Sequence, residues 1–400
     1  MVDRRNFLSS SLVGLAGMGL SNTLLGAEEK KAPAPLPKPK KVLRRILGRT
    51  GISLPVVSMG VMNADNPALV KAALEGGIVH FDTAHGYQRG RNEEMLGEVF
   101  KGVKRDSFTL ATKVFPPGLD RRTGVFAADT KPEPFIEMFH LSLKRLQLEH
   151  VDILFLHNVT KREALLYEPI LKALLQLKKE GKARFIGVST HSNEPEVIRA
   201  ATASKAYDVV LTSYNFKQAH HAEVRAACQE AARAGVGIIA MKTQAGVWFD
   251  KEKTKPINMA AALKWALQED CITTAIPGFT TFEQLNLNLG VLGDLKLTES
   301  ERQDLAIPVK TSGLYCQQCG TCTPQCPHGL PIPDLMRGYM YAAGYRNLQQ
   351  AKDLAVSLPL ADDPCGACPT CTVRCVQDFD IRPRIEELLR LRTVQDAFLA

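Results

Sequence analysis

Between residues 42 and 306, short apolar, β-branched runs alternate eight times with helix-like stretches. The runs lie near 55–61, 78–81, 108–112, 151–156, 184–188, 207–212, 236–241 and 272–276. Helical patterning is clearest over 133–147, 166–180, 195–204, 221–233 and 257–268. Eight strand–helix units in about 265 residues predict an α/β fold, a (β/α)8 TIM barrel. The competing open, doubly wound sheet expects a glycine fingerprint after its first strand, and Gly60-Val-Met-Asn63 does not supply one.

The flanks differ in texture. Residues 1–50 hold ten Lys/Arg against three Asp/Glu, so nearly all of the net charge of +8 sits in the head. The near-neutral body carries no net basic excess for nucleic acid. Residues 1–27 combine a cationic start, an uncharged apolar middle and a small residue, Ala27, at the end, as in an export signal. The core Arg4-Arg5-Asn-Phe7-Leu8 resembles the twin-arginine signal of bacteria. Leu25 departs from the usual cleavage site, which leaves an uncleaved anchor as the alternative and confines any membrane contact to this segment. The Pro/Lys/Ala-rich residues 28–41 read as an extended spacer. Past 310, cysteine, proline and glycine dominate, followed by helical patterning, so 310–400 reads as a small second domain.

Candidate chemistry gathers at strand ends. Asp82 and Tyr87 follow the second barrel run, Lys113 ends the third and His157 the fourth. An ammonium beside a phenol is expected to lower its pKa, a carboxylate keeps the ammonium charged, and a neutral histidine orients a carbonyl. Such a set protonates an oxygen as hydride reaches its carbon.

Several pieces resemble the aldo-keto reductases: Leu47-Gly-Arg-Thr-Gly51, Asp82-Thr-Ala-His-Gly-Tyr87, Asn92-Glu-Glu-Met-Leu-Gly97, Ala111-Thr-Lys113, Leu156-His157, Ile186-Gly-Val-Ser189 and Ile276-Pro-Gly278. The resemblance implies Tyr87 as general acid, Lys113 as its pKa-lowering neighbour, Asp82 as partner of Lys113, and His157 as the substrate-orienting residue. It further implies a nicotinamide cofactor, NADP(H) or NAD(H), and a small carbonyl or alcohol substrate. Ser189 and Asn288 match expected cofactor contacts. Thr190 and Leu211 stand where the family has Asn and Gln, and Met241 where an aromatic ring often stacks. Gly278 and Gln284 replace the Lys and Arg that hold a 2′-phosphate, so a preference for NADPH does not follow. Lys242 could reach a phosphate or stand solvated. Arg121 and Arg122, in the loop after Lys113, could meet an anionic substrate or solvent.

Eight of ten cysteines form two runs, Cys316-x2-Cys319-x2-Cys322-x3-Cys326-Pro327 and Cys365-x2-Cys368-x2-Cys371-x3-Cys375. This is the bacterial ferredoxin spacing, in which the fourth thiolate serves the other cluster. Two [4Fe–4S] clusters are expected, one on Cys316, Cys319, Cys322 and Cys375, the other on Cys365, Cys368, Cys371 and Cys326. Zinc is the alternative. The intervening helices suggest an α-helical ferredoxin-like domain, a tail that one aldo-keto reductase subgroup also carries. Cys228 and Cys271 read as buried packing residues.

Together these expectations describe an exported, periplasmic oxidoreductase that crosses the membrane folded and exchanges electrons with a redox partner protein or carrier. An electron-transfer protein with a non-catalytic barrel is the other reading. Nicotinamide moves two electrons while clusters move one, a gap that a flavin or quinone bridges.

Overall fold

The computed structural model describes residues 41–246, 248–249, 254–306 and 315–399. The export signal and nearly all of the spacer lie outside them. Among the described residues no helix is long and apolar enough to cross a membrane.

The chain enters through a hairpin, β1 (Arg44–Ile46) and β2 (Ser53–Pro55), paired antiparallel. Its turn, Leu47 to Gly51, plugs the N-terminal end of the barrel: a side chain on Gly237 would overlap Leu47, and one on Gly48 would overlap the backbone at Gly235 and Gly237. The motif that the sequence offers as a family sign is therefore a structural stopper.

Eight parallel strands follow: β3 (Met59–Gly60), β4 (His80–Asp82), β5 (Thr109–Val114), β6 (Val151–Leu156), β7 (Ala183–Thr190), β8 (Val209–Ser213), β9 (Gly237–Met241) and β10 (Thr274–Ala275). Parallel bridges Val57–Ala275 and Gly60–Gly278 close the ring. Around it run α1 (Pro67–Glu75), α2 (Arg91–Phe100), α3 (Glu133–Leu146), α4 (Arg162–Leu165), α5 (Glu168–Lys179), α6 (Glu194–Ser204), α7 (His221–Arg233), α8 (Met259–Leu267), α9 (Phe282–Val291) and α10 (Glu299–Leu305). The predicted TIM barrel is present.

Strand periodicity sorts the side chains. Ala111, Ile153, Phe155, Val209, Leu211 and Ile239 point inward with Leu47 and Leu54 from the hairpin. Their neighbours Leu110, Leu154, Leu156, Val210 and Ile238 face the helices. Gly187 is small because Phe155 lies over it inside the barrel. The same period carries Asp82 and Lys113 inward, one layer above this apolar filling.

The tail holds α11 (Ile332–Tyr339), a π-turn (Met340–Gly344), α12 (Leu348–Ser357) and α13 (Ile381–Leu389). They share an apolar core of Leu335, Met336, Leu354, Ile385 and Leu388. The tail docks on the barrel: Arg89 pairs with Asp353 (2.7 Å) and Asp396 (2.6 Å), Asn347 donates to Asn63 (2.9 Å), and Asn215 donates to Gln317 (3.0 Å). Cys228 is buried on α7 as expected, whereas Cys271, in the turn before β10, is only half-buried against the barrel core.

Candidate active site

Each catalytic candidate follows from a strand ending at the same rim. Asp82 closes β4, Lys113 lies one residue before the end of β5, and His157 directly follows β6. The Tyr87 loop is braced from behind. Thr83 Oγ1 donates to Asn92 Oδ1 (2.6 Å), and Asn92 Nδ2 donates to the Val61 carbonyl (2.8 Å). Glu93 accepts from Thr112 (2.7 Å) and pairs with Arg145 (3.3 Å). Gly97 lets α2 pass the Arg145 carbonyl, which any side chain there would strike. The Asn92–Gly97 motif thus positions the loop.

The Lys113 ammonium is 2 % exposed and sits among three oxygens. It is ion-paired with Asp82 Oδ1, donates to the Thr83 carbonyl (2.7 Å), and lies 3.4 Å from Tyr87 Oη. The His157 ring stands edge-on to Tyr87, with centroids 6.1 Å apart. Burial, reinforced by Lys113, Arg121 and Arg337, holds the His157 pKa well below its ordinary value, so its imidazole is neutral.

Tyr87 corrects one expectation. Its pKa lies well above the ordinary value: burial dominates, Asp82 and Tyr341 add to it, and Arg337 opposes. The resting phenol therefore keeps its proton. Burial likewise lowers Lys113 and raises Asp82, each opposed by the other's charge.

Residues of the tail complete this environment. Arg337 is 5 % exposed, pairs with Asp334 and donates to Asn158 Oδ1 (3.1 Å). Tyr341 is 8 % exposed and, with Met340, lines the same cavity as Tyr87. Nothing in the sequence marked Arg337 or Tyr341. Arg121 stacks on Phe115 (3.5 Å) and is pushed down to about 10 by burial; Arg122 is exposed.

A cavity of about 350 Å³ opens from Asp82, Tyr87 and Lys113 toward α9. Among the expected cofactor contacts, Lys242, Gly278, Gln284 and Asn288 line it. Ser189 does not: it is fully buried, and its oxygen accepts from the Asn158 backbone N–H (3.0 Å). Leu211 belongs to the apolar barrel filling, and the Thr190 hydroxyl donates to the Ser192 carbonyl (2.7 Å). Gln284 spends its side-chain oxygen on Thr280 N–H (2.8 Å). Lys242 is half-buried on the cavity wall, and burial pushes its pKa down to about 7. His191, Asn215 and Gln218 also line the cavity. They follow β7 and β8, so the strand-end rule that found His157 extends to them.

The thiols fall into two neighbourhoods. Cys326, Cys365, Cys368 and Cys371 line one cavity with Ile381 and Arg382. Cys319, Cys322 and Cys375 are the thiols near enough to bear on Cys316. Backbone N–H groups point at the sulfurs, Gln318 to Cys316 (3.2 Å) and Gln377 to Cys375 (3.4 Å). Among the described residues no three such side chains close around a single ion. Two crossed sets of four thiols, each with N–H donors or apolar cover, fit the cluster sites.

The sequence model described as "4Fe-4S dicluster domain" matches residues 315–380. A probable aldo-keto reductase 1 from Glycine max is 26% identical over 287 residues, covering 61% of this chain and 80% of that protein. An L-glyceraldehyde 3-phosphate reductase of Escherichia coli is 31% identical over 38% of this chain and 46% of its own length. An L-galactose dehydrogenase of Arabidopsis thaliana is 35% identical over 37% and 49%. The chain thus spans about half the length of these last two relatives. In structure it is similar to an aldo-keto reductase of Bacillus halodurans in its holo form, with TM-score 0.53, 25% identity, and coverage of 66% of this chain and 95% of that one. A Klebsiella pneumoniae aldo-keto reductase in complex with NADPH shares the fold, with TM-score 0.50, 22% identity and coverage of 67% and 94%. The sequence model described as "Aldo/keto reductase family" matches residues 58–261, just over half of the chain, and the chain belongs to that family, with a 4Fe–4S dicluster domain behind its barrel.

Proposed function

We propose that this protein is an exported oxidoreductase that interconverts a small carbonyl compound and its alcohol at Tyr87. It uses a nicotinamide nucleotide in the barrel cavity and communicates with a redox partner protein or carrier through two [4Fe–4S] clusters. The observation that carries this reading is the Lys113 ammonium, held among Asp82, the Thr83 carbonyl and Tyr87 Oη at the cavity floor. Relatives named for L-glyceraldehyde 3-phosphate and L-galactose favour a hydroxylated, sugar-sized substrate.

When bound, the nicotinamide supplies or accepts hydride. The residues handle the proton. In the reducing direction Tyr87 Oη donates to the substrate oxygen as negative charge develops there. An alkoxide is far more basic than a phenolate, so the raised Tyr87 pKa loads the proton without blocking its departure. Lys113, 3.4 Å away, faces the phenolate as it forms, and Asp82 keeps that ammonium in place. Neutral His157 hydrogen-bonds the carbonyl and fixes its orientation. The tail covers the rim with Arg337 and Tyr341 and excludes water from this transfer.

Two further features support parts of the proposal. The Arg4-Arg5 segment and a cofactor-bearing tail agree with folded export, which cell fractionation of an Arg4→Lys/Arg5→Lys variant tests. The absence of Ser189 and Leu211 from the cavity wall favours a second reading, a flavin in place of the nicotinamide, which would also bridge two-electron and one-electron chemistry. The deciding experiment is Tyr87→Phe in the full chain with both clusters. Carbonyl turnover should fall by about 10²-fold or more while iron content and cluster spectra hold. Unchanged turnover would transfer the weight to an electron-transfer protein with a scaffold barrel.

A further inference from the structure

Six of the thirteen buried side-chain N or O atoms without a partner, among the described residues, belong to residues lining the one cavity of about 350 Å³. Asp82 Oδ2, His191 Nδ1, Thr243 Oγ1 and Asn288 Oδ1 come from the barrel. The other two are both amide atoms of Gln318, from the tail. Gln318 is 3 % exposed and lies between Cys316 and Cys319 with a left-handed backbone, φ 60°. Its neighbour Gln317 shows what packing alone accomplishes on this loop: its amide donates to the Tyr315 carbonyl (3.0 Å) and accepts from Asn215 (3.0 Å). Gln318 has neither contact. A buried amide with no partner costs about 1–3 kcal/mol, which a bound ligand recovers.

We infer that Gln318 is a ligand-binding residue of the barrel cavity, contributed by the loop that wraps the first cluster, and that it recognises the amide or imide edge of a redox nucleotide. An amide offers one donor and one acceptor side by side, so its complement is an edge with one acceptor and one donor. A primary carboxamide on a nicotinamide and the imide of a flavin both present that edge. Apolar Met241, Ile276, Met340 and Tyr345 line the same cavity and suit a flat ring, and the volume falls within the usual range for small-molecule sites. Cys316 lines it too, so the ligand and the first cluster share a wall. The inference rests on the reading of this cavity as a redox-nucleotide site, and it places one contact outside the barrel altogether. The Gln318 N–H donates to Cys316 Sγ (3.2 Å), so on this inference nucleotide binding depends on an assembled first cluster.

The test uses the full-chain protein with both clusters, under anaerobic conditions. NADH, NADPH and FMN are titrated separately into wild type and Gln318→Leu, with binding read by ligand fluorescence and iron measured on the same samples. The ligand that binds wild type should bind the variant about tenfold more weakly, at unchanged iron content. It should also alter the electron paramagnetic resonance spectrum of the reduced first cluster in wild type. NADH or NADPH acting in this way identifies the carboxamide, and FMN the imide. Equal affinity in wild type and variant overturns the role of Gln318 and leaves the nucleotide reading standing. If none of the three binds wild type, the nucleotide reading itself falls, and this inference with it. If the variant loads less iron, the wild-type titration decides: a resonance spectrum that saturating ligand does not change overturns the inference.

Discussion

Arg337 carries the tail into the barrel mouth, and replacing it with methionine isolates its charge. The Arg337→Met side chain retains much of the apolar stem, so packing on α11 changes little. Asp334, whose side chain is 11 % exposed, then loses its partner, and Asn158 Oδ1 loses its donor. Breaking a buried pair by removing one member costs about 3–5 kcal/mol, because the other charge stays buried. With one decade in rate for each 1.36 kcal/mol, amides of Ile332–Tyr339 should exchange with deuterium at least about 100-fold faster, read by mass spectrometry on the cluster-loaded protein. Barrel amides on β6 should be unaffected. A second change, Asp334→Leu, removes the stranded charge and should restore protection to within about tenfold of wild type, the remainder being the unpaired Asn158 oxygen. Exchange of α11 within about threefold of wild type in Arg337→Met alone would show that this pair does not hold the tail.

Other outcomes follow from the same geometry. His80 sits inside the barrel, bonded through Nδ1 to Thr109 (2.9 Å), and burial lowers its pKa to about 4. The unfolded chain takes up that proton near 6.5, so stability should fall as pH drops from 6.5 toward 4, by about 2 kcal/mol at pH 5, with no effect above 6.5. Anaerobic thermal unfolding of wild type and His80→Asn should give pH profiles that diverge only in that window, and parallel profiles would refute the assignment. Cys375→Ala should remove the first cluster and Cys326→Ala the second, each halving the iron while the other cluster's resonance signal survives. If each change instead destroys the cluster of its own sequence run, the crossed pairing is wrong.

Much of this was legible in the chain. Strand ends reveal themselves because apolar β-branched runs stop where the barrel meets solvent, and the residue after the run is polar. Asp82, Lys113 and His157 are visible for that reason, and the two cysteine runs mark the 4Fe–4S dicluster domain. The cofactor wall was less legible. Ser189 has the right type and position, yet its oxygen is taken by Asn158 N–H, a partner on another strand's loop. Leu211 looks like a substitution in a site but is an inward residue of the barrel filling. The Tyr87 pKa departs from the expectation because burial decides it, with further electrostatic contributions from Tyr341 and Arg337, some 250 residues downstream. Arg337, Tyr341 and Gln318 carry no local pattern at all. Their meaning depends on where the tail docks, which no periodicity encodes.

Directly after Tyr87, two consecutive non-glycine residues take left-handed backbone, Gln88 at φ 50° and Arg89 at φ 58°. Each costs about 1 kcal/mol or more. Gln88 is fastened to the Met62 carbonyl (3.0 Å), but Arg89 is fastened to Asp353 and Asp396, both in the tail. The two parts are therefore not interchangeable cassettes. A barrel without this tail would keep the bend beside Tyr87 but lose the partners that anchor Arg89. The backbone next to Tyr87 is thereby coupled to the docking of the second domain.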